Sequence, residues 1–109
     1  MDDRTRFDWD YHKNEINKRK HKVSFYEAMT CFFDDNALIL YDDNHSAYED
    51  RFILIGMSSE SHVLIVCHCF RENDTIRIIS SRKADKHERK KYYNHRRWFT
   101  WKNIMTFQK

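Results

Sequence analysis

Apolar residues recur along the chain with two different spacings, and each spacing predicts a different element. Residues 7–9 alternate between apolar and polar side chains, which predicts a short first strand. A helix is predicted to follow from Asp10, its N-cap, to about Lys20, with Ile16 facing the core. The chain is therefore expected to begin with a strand that leads directly into a helix.

A second helix is predicted by the residues that follow. Ser24 and Glu27 fit a capping box, in which the serine caps the third amide and the glutamate reaches back. Apolar residues then recur at helical spacing as far as about Phe33. Four aromatic residues of this amino-terminal part are expected in the core: Trp9, Phe25, Phe32 and Phe33.

From residue 37 onward the spacing changes to that of strands. Four strands are predicted, over 37–41, 51–57, 63–70 and 75–81. Their short polar connections favour an antiparallel meander. If Phe70 stands opposite Thr75 across the last hairpin, His68 faces Arg77. After residue 83 the spacing is helical again.

The predicted fold class is α+β, with N-terminal helices packed on an antiparallel β-meander that is followed by a C-terminal helix. With 109 residues there is room for one domain, which we expect to span 1–109. One glycine, no proline and 40% hydrophobic residues exclude a disordered chain. No apolar run approaches the roughly 20 residues that a membrane span needs, and no hydrophobic signal segment begins the chain. We expect a cytoplasmic protein with reduced cysteines.

Charge is unevenly distributed along the chain. Residues 77–109 hold eleven Lys or Arg and two acidic residues, whereas residues 23–76 hold two Lys or Arg and ten acidic residues. A second basic cluster lies near the start, around Lys18, Arg19 and Lys20. This distribution suits a chain that holds a polyanion on one face and a basic partner on another, although ordinary solvated helix surfaces also account for it.

Several motifs, taken in order, resemble one known family. The first are Phe7-x-Trp9-Asp10-x-x-Lys13-x-x-x-Asn17 and Lys20-His21-x-Val23-Ser24-Phe25-x-Glu27-Ala28. The later ones are Phe33-Asp34-Asp35, Asp43-x-His45-Ser46, Glu49-x-Arg51, Ile55-Gly56-x-Ser58, Val66-x-His68, Arg77-Ile78-Ile79-Ser80-x-Arg82-Lys83-Ala84 and Glu88-Arg89-x-x-Tyr92. Together they cover about residues 7–93 and resemble the BrnT toxins. The family usually has Gly where this chain has Lys22 and Pro where it has Asn36, and both positions look like turns.

The resemblance implies both a fold and an activity. It implies a RelE-like fold, metal-independent cleavage of RNA without a cofactor, and inhibition of growth. It also implies neutralisation by a BrnA-like antitoxin with a ribbon-helix-helix element, so that operator DNA is bound only through the antitoxin complex and no membrane is involved. Residues 94–109, predicted as a helical extension, lie beyond the usual end of the family and receive no role from it.

Metal-free cleavage of RNA sets the requirements for a site. The 2′-hydroxyl attacks the adjacent phosphorus, so the protein must accept its proton, neutralise charge on the phosphate and protonate the leaving oxygen. Arginine suits the second task because its planar guanidinium binds phosphate oxygens in pairs. Arg77 and Arg82 are the first candidates, although alternation sends them to opposite faces unless the strand ends near residue 81. A cross-strand ion pair for Arg77 and a surface position at a helix start for Arg82 are the alternatives.

The remaining candidates would move protons or bind phosphates. His68 is a candidate base or acid because it is expected beside Arg77, whose charge would lower the pKa of the imidazole; a histidine packed in the strand is the alternative. Lys20 is a candidate for charge stabilisation and Glu88 for proton acceptance, with a surface position and a helical ion pair as their alternatives. Further RNA contacts are predicted for Arg51, Arg71, Lys83 and Arg89.

The residues also bear on a metal site and on a function without catalysis. Cys67-His68-Cys69 contains metal-ligand types, but alternation sends both sulfurs to one face and the imidazole to the other, so no metal site is expected. The alternative function is a non-catalytic nucleic-acid-binding or interaction module, in which the basic C-terminal third binds phosphates within a repressor complex.

Overall fold

A five-stranded sheet forms the centre of the structure, a computed structural model that describes residues 4–95. Its elements are β1 (Arg6–Asp8), α1 (Tyr11–His21), α2 (Phe25–Thr30), a 3-10 turn (Cys31–Phe33), β2 (Leu38–Tyr41), a second 3-10 turn (Asp43–His45), β3 (Phe52–Met57), β4 (Val63–Arg71), β5 (Thr75–Lys83) and α3 (86–95). The strand order is β1-β5-β4-β3-β2. The predicted α+β class is confirmed. The predicted extension over 94–109 lies almost wholly outside the described residues.

The sheet is mixed rather than antiparallel throughout. β2, β3, β4 and β5 pair antiparallel in chain order, whereas β1 lies parallel to β5. β2 to β5 follow the order of the predicted antiparallel meander, but the prediction gave β1 no partner, and its parallel pairing makes the sheet mixed. A strand of three residues is too short for its sequence to specify a partner, and Phe7 of β1 finds its place by packing edge-on against Phe32, with ring centroids 5.4 Å apart.

The last hairpin has a shorter turn than predicted. Residues 72–74 form the turn, Arg71 pairs with Thr75, and Asn73 and Asp74 both have positive φ, a conformation that these two residue types tolerate. The predicted register of β4 and β5 is therefore wrong by one residue. Such a slip moves every side chain of a strand to the opposite face of the sheet.

A bulge in β5 changes the register a second time. Cys67 pairs with Ser80, whereas the next residue of β4, His68, pairs with Ile78. Ile79 is left over as the extra residue of a β-bulge. The alternation of side chains between the two faces therefore restarts after Ile79.

The bulge places two predicted site residues on one face. Arg77 lies opposite Cys69 and Arg82 lies opposite Ile65, two positions of β4 that alternation puts on the same side. The expectation that Arg77 and Arg82 point to opposite faces is therefore wrong, because it assumed an uninterrupted strand.

α1 begins as predicted but buries a different face. Asp10 is its N-cap, and the carboxylate accepts a hydrogen bond from the Lys13 amide at 3.0 Å. Ile16 is 52% exposed, so the prediction that it faces the core is wrong. The buried residues of the helix are Asn14 and Asn17.

These two asparagines attach α1 to its neighbours through hydrogen bonds to backbone. Asn14 Oδ1 accepts from the Phe25 amide at 2.8 Å. Asn17 Nδ2 donates to the carbonyls of Val23 and Ser81, both at 2.8 Å, and its Oδ1 accepts from the Ser81 amide at 3.1 Å. Amide groups thus take the place of the apolar stripe expected on a surface helix.

The start of α2 follows the prediction in part. Ser24 Oγ accepts from the Glu27 amide at 3.0 Å, as a cap should. The Glu27 carboxylate, however, does not turn back to complete the box. It is buried against the turn between β3 and β4, where Ser58 Oγ donates to it at 2.6 Å and His62 Nδ1 lies at 2.8 Å.

The two departures from the family pattern both lie in turns. Lys22 is the C-cap of α1 in the left-handed conformation, with φ 60° and ψ 29°, and its amide donates to the Lys18 carbonyl at 3.0 Å. The Asn36 amide donates to Asp34 Oδ1 at 2.9 Å, a bond that proline cannot make.

Different elements cover the two faces of the sheet. The front face packs against α2 through buried residues that include Phe25, Phe32, Leu54, Val66 and Ile78. The back face carries Ile55 and Ile65, which pack with Tyr92 of α3. Phe33 is 60% exposed, so its prediction as a core residue is wrong, whereas Phe25 and Phe32 are buried and Trp9 packs against them in part. Among residues 4–95 no helix is both long and apolar enough to cross a membrane.

Candidate active site

Three arginines converge around Cys69 on the back face, and we call Arg51, Arg71 and Arg77 the arginine cluster. Arg77 lies opposite Cys69, and Arg71 is two residues further along β4. Arg51 immediately precedes β3, whose first residue Phe52 pairs with His68, the neighbour of Cys69 on β4. Burial raises the pKa of the Cys69 thiol, and the positive charges of Arg71, Arg51 and Arg77 nearby partly oppose that rise.

Two carboxylates hold the arginine cluster. Arg77 pairs with Asp8, and Glu49 contacts Arg71 at 2.6 Å and Arg51 at 3.6 Å. The hydrogen bond from Arg71 lowers the pKa of Glu49 below its ordinary value. The Asp8 side chain is 51% exposed, and pairs this exposed typically contribute about 0–1 kcal/mol. An incoming phosphate can therefore replace a carboxylate at little cost.

Arg82 lies on the same face but outside the cluster. Its place opposite Ile65 is about 13 Å along β4 from Cys69. Its guanidinium binds both oxygens of Glu88, at 2.7 and 2.8 Å. Glu88 in turn forms a capping box with Asp85, through amide-to-carboxylate hydrogen bonds of 2.9 and 2.8 Å. The bond from Arg82 lowers the pKa of Glu88 to about 2, which makes this carboxylate a weak proton acceptor.

His68 lies on the front face, away from Arg77, so the predicted contact between them is wrong. The cause is the shifted register of the hairpin. The side chain is fully buried, and its Nδ1 lies 3.1 Å from the Val66 carbonyl. Its aromatic neighbours are Phe32, Phe52 and Phe70. Burial lowers the pKa of the imidazole, so the predicted direction is right but its cause is not a guanidinium.

The other predicted cations lie away from the cluster. Lys20 is exposed in the last turn of α1, and Lys83 ends β5. Arg89 lies on α3, where its guanidinium donates to the Ala84 carbonyl at 2.8 Å. The structure therefore divides the predicted site residues into groups: Arg51, Arg71 and Arg77 near Cys69, and Arg82 with Glu88 further along the sheet.

The loop between β2 and β3 adds a histidine to which the sequence pattern assigned no role. His45 Nδ1 lies 2.9 Å from Asp42 Oδ2; the Asp42 side chain is 7% exposed and that of His45 is 65% exposed. A cavity of about 190 Å³ is lined by His45, Ala47, Tyr48, Glu49 and Arg51. The signal in the sequence was the succession of Asp43-x-His45-Ser46 and Glu49-x-Arg51, two motifs that meet at one cavity.

Ser46 fastens the two ends of this loop. Its hydroxyl donates to the Asp42 carbonyl at 2.5 Å and accepts from the Arg51 amide at 3.0 Å. The Asp42 amide donates to the Arg51 carbonyl at 2.9 Å. These bonds fix the backbone that carries His45 relative to the backbone of Arg51.

A second carboxylate–histidine pair lies at the opposite end of the sheet. His62 Nδ1 is 2.8 Å from Glu27 Oε2, which also accepts from Ser58 Oγ. Burial alone would raise the pKa of Glu27, but the hydrogen bonds from Ser58 and His62 outweigh burial and lower it. The carboxylate is therefore ionised at neutral pH.

The same end of the sheet holds the residues that could bind a metal ion. Glu27, Glu60 and His62 place potential ligand atoms within 4.8 Å of one another. Lys83 and Arg89 line a cavity of about 180 Å³ beside His62. Their positive charges oppose the binding of a cation there.

The three cysteines are free thiols. Cys67 and Cys69 lie on the back face and His68 on the front face, as alternation predicted. Burial raises the pKa of the Cys31 thiol to about 12 and also raises those of Cys67 and Cys69. Thiols with a raised pKa are weak nucleophiles, so these cysteines serve as packing residues.

Comparison with known proteins identifies the family. A family described as "Ribonuclease toxin, BrnT, of type II toxin-antitoxin system" matches residues 9–88. The 1.1 Å crystal structure of the Brucella abortus ribonuclease toxin, BrnT, shares the fold with a TM-score of 0.60 and 20% identity, covering 75% of this chain and 99% of that chain. Curated proteins gave no match. Since the family match extends over more than half of its length, the chain belongs to the BrnT ribonuclease toxins of type II toxin–antitoxin systems, which implies an antitoxin partner.

Proposed function

We propose that this chain is an endoribonuclease that cleaves RNA without a metal ion, and that the arginine cluster binds the phosphate at which the RNA is cut. Family membership supports the ribonuclease class. The observation that carries the proposal is the convergence of three guanidinium groups around Cys69. Guanidinium groups bind phosphate oxygens in pairs and remain charged while negative charge grows on the phosphate.

Phosphate binding would proceed by exchange of partners within the cluster. Asp8 and Glu49 hold the guanidinium groups of Arg77 and Arg71 in place before RNA arrives. A phosphate then replaces an exposed carboxylate as the partner of an arginine that is already oriented. Preorientation of this kind reduces the entropy lost on binding.

The same proposal extends to the partner and the cell. We propose that cleavage inhibits growth and that a BrnA-like ribbon-helix-helix antitoxin neutralises it, with operator DNA bound only through their complex. Membership in a type II toxin–antitoxin family supports an antitoxin. We also propose that the fold is RelE-like and that the protein acts in the cytoplasm.

The test is cleavage of an oligoribonucleotide by the purified chain in EDTA. We expect RNA to be cut to products ending in a 2′,3′-cyclic phosphate, while the matching DNA is left intact because it lacks the attacking hydroxyl. Arg77→Ala is expected to lower the cleavage rate about 100- to 1,000-fold, the usual effect of removing one group that stabilises charge in the transition state. Arg19→Ala removes an exposed positive charge from α1 and is the matched control, expected to keep the full rate.

Two results would count against the proposal. RNA bound but not cut by the wild-type chain would favour the non-catalytic nucleic-acid-binding module instead. A full cleavage rate in Arg77→Ala would show that the arginine cluster is not where the phosphate is cleaved, whatever the activity of the chain.

A further inference from the structure

We infer that His45 is the catalytic base of RNA cleavage, taking the proton of the attacking 2′-hydroxyl on Nε2, and that Asp42 is its positioning residue. This inference rests on the proposed function, because it names a proton acceptor for the reaction at the arginine cluster. It replaces His68, which the sequence predicted for this role and which is fully buried on the other face.

The hydrogen bond to Asp42 leaves the imidazole ready to accept a proton. An ionised carboxylate can accept a hydrogen bond but cannot donate one. In the neutral imidazole, the contact of 2.9 Å between Nδ1 and Asp42 Oδ2 therefore places the ring hydrogen on Nδ1. The lone pair is then on Nε2, which has no hydrogen-bond partner within residues 4–95. With 65% of the side chain exposed, a substrate can reach that atom.

The surroundings of His45 suit a strand of RNA. His45 and Arg51 line the same cavity of about 190 Å³, and Arg51 belongs to the arginine cluster. Arg51 Nε is buried without a hydrogen-bond partner among the described residues, so a small rearrangement that uncovers it would give a phosphate a further donor. Tyr48 lines the same cavity and is fully exposed, which makes its ring available to stack on an unpaired base.

The carboxylates near the cluster are less suited to this task. Glu49 Oε2 is bound by Arg71 at 2.6 Å and Glu49 Oε1 faces Arg51 at 3.6 Å. Asp8 is the partner of Arg77. Each is held by a guanidinium group until a phosphate replaces it, and no hydrogen bond then orients the released carboxylate, whereas Asp42 orients the His45 ring throughout. His45 therefore combines an exposed nitrogen, a fixed orientation and a neighbouring phosphate-binding group.

The proposed step is a balanced transesterification. The hydrogen of the 2′-hydroxyl moves to His45 Nε2 as the bond between O2′ and phosphorus forms. The bond between phosphorus and the 5′-oxygen of the next nucleotide breaks, and that oxygen takes a proton from solvent water. The imidazolium then returns its proton to solvent, and the products are a 2′,3′-cyclic phosphate and a free 5′-hydroxyl. The reaction consumes no oxidant, reductant or metal ion.

The experiment compares two histidines with the same local geometry. His45→Gln and His62→Gln are assayed in EDTA on one oligoribonucleotide, with kcat and KM determined separately and with urea unfolding as a check on folding. We expect His45→Gln to lower kcat about 100-fold or more with KM within about twofold, the range usual for loss of a general base. His62→Gln is the matched control, and we expect its kcat to stay within about threefold of wild type.

Chemical rescue separates a catalytic role from a structural one. Added imidazole is expected to restore at least a tenth of the wild-type rate to His45→Gly and to leave Arg77→Ala unchanged. Asp42→Asn is expected to lower kcat about tenfold, since it loosens the orientation of the ring and leaves the base in place.

Each remaining outcome would count against a particular claim. Wild-type kcat in His45→Gln overturns the inference and leaves the proposed ribonuclease standing. An equal loss in His45→Gln and His62→Gln overturns it too, because both variants would then act through the fold. If the wild-type chain does not cut RNA in EDTA, the proposed function itself is wrong and the role of His45 falls with it.

Discussion

Two histidine–carboxylate pairs in this molecule are nearly identical in local geometry and differ in what surrounds them. Asp42 and His45 approach to 2.9 Å, Glu27 and His62 approach to 2.8 Å, and each carboxylate side chain is 7% exposed. Asp42 is three residues from its partner, within one loop, whereas Glu27 is 35 residues from its partner and connects α2 to the turn before β4.

The same histidine–carboxylate contact orients a side chain in one pair and restrains the fold in the other. A pair within one loop orients a ring without connecting distant elements, and His45 is left 65% exposed beside Arg51. A pair between elements restrains the fold, and Glu27 gains a further bond from Ser58. We therefore expect changes to the Glu27 pair to reduce stability and changes to the Asp42 pair to reduce activity.

The largest effect on stability is expected from Glu27→Ala. This change leaves Ser58 and His62 without their acceptor and opens a small cavity, which should lower the free energy of unfolding by about 3 kcal/mol. Urea unfolding measures the loss. Asp42→Ala is the matched control and should cost about 1 kcal/mol or less, because water can take its place at the exposed His45. Equal losses in the two variants would remove the distinction between the pairs.

A smaller effect is expected from Glu88→Gln, which weakens the contact between β5 and α3. At pH 7 we expect it to lower the free energy of unfolding by about 1–2 kcal/mol, less than the pKa shift alone implies, because Arg82 is 44% exposed and solvent screens the pair. Asp8→Asn, which removes the exposed partner of Arg77, is the control and should change stability by no more than about 0.5 kcal/mol.

The pH dependence of the same variant sharpens the test. The pKa of Glu88 is about 2 in the folded chain and near its ordinary value of 4.5 in the unfolded chain. Its stabilising effect is therefore complete above about pH 4.5 and is lost as the pH falls toward 2. Wild-type stability should decline more steeply than that of Glu88→Gln over this interval. Parallel declines would mean that the contact with Arg82 does not hold α3 to the sheet.

The smallest effect is expected from Lys22→Gly, and it should raise stability. Lys22 has a left-handed conformation that costs a residue with a side chain more than it costs glycine, so we expect a gain of about 0.5–1 kcal/mol in urea unfolding. Lys18→Gly, inside α1, is the control and should lower stability by a similar amount. RNA cleavage by Lys22→Gly should equal that of wild type; an altered rate would mean that stability and activity are coupled here.

Local signals in the sequence specified much of the fold. Asp10 and Ser24 begin their helices as predicted, because capping depends on a few adjacent residues. The strands fall close to their predicted bounds, since each alternates over its own length. The register of β4 and β5 could not be predicted, because it depends on the positive φ of Asn73 and Asp74 and on the bulge at Ile79.

Of the candidate site, only the positively charged residues could be predicted from the sequence. Arg51, Arg71 and Arg77 were identified as phosphate-binding candidates by residue type, and the structure brings them together. The motifs of His45 and Arg51 are adjacent in the sequence, but spacing alone could not bring them to one cavity, because hydrogen bonds of Ser46 and the Asp42 amide shape the loop between them. Whether the cluster cleaves RNA stays a prediction.

α1 is attached to its neighbours mainly by side-chain amide hydrogen bonds, whereas the strands of the sheet also share a buried apolar core. Because the buried residues of α1 are Asn14 and Asn17, which bind through amide groups, undocking would expose few apolar side chains of the helix itself, and urea acts in proportion to the surface exposed. In native-state hydrogen exchange we expect the opening free energy of α1 amides to depend only weakly on denaturant concentration. The opening free energy of β4 amides should instead fall with denaturant as steeply as that of global unfolding. The helix whose last turn contains Lys18, Arg19 and Lys20 is thus held in place by amide hydrogen bonds and not by buried apolar side chains of its own.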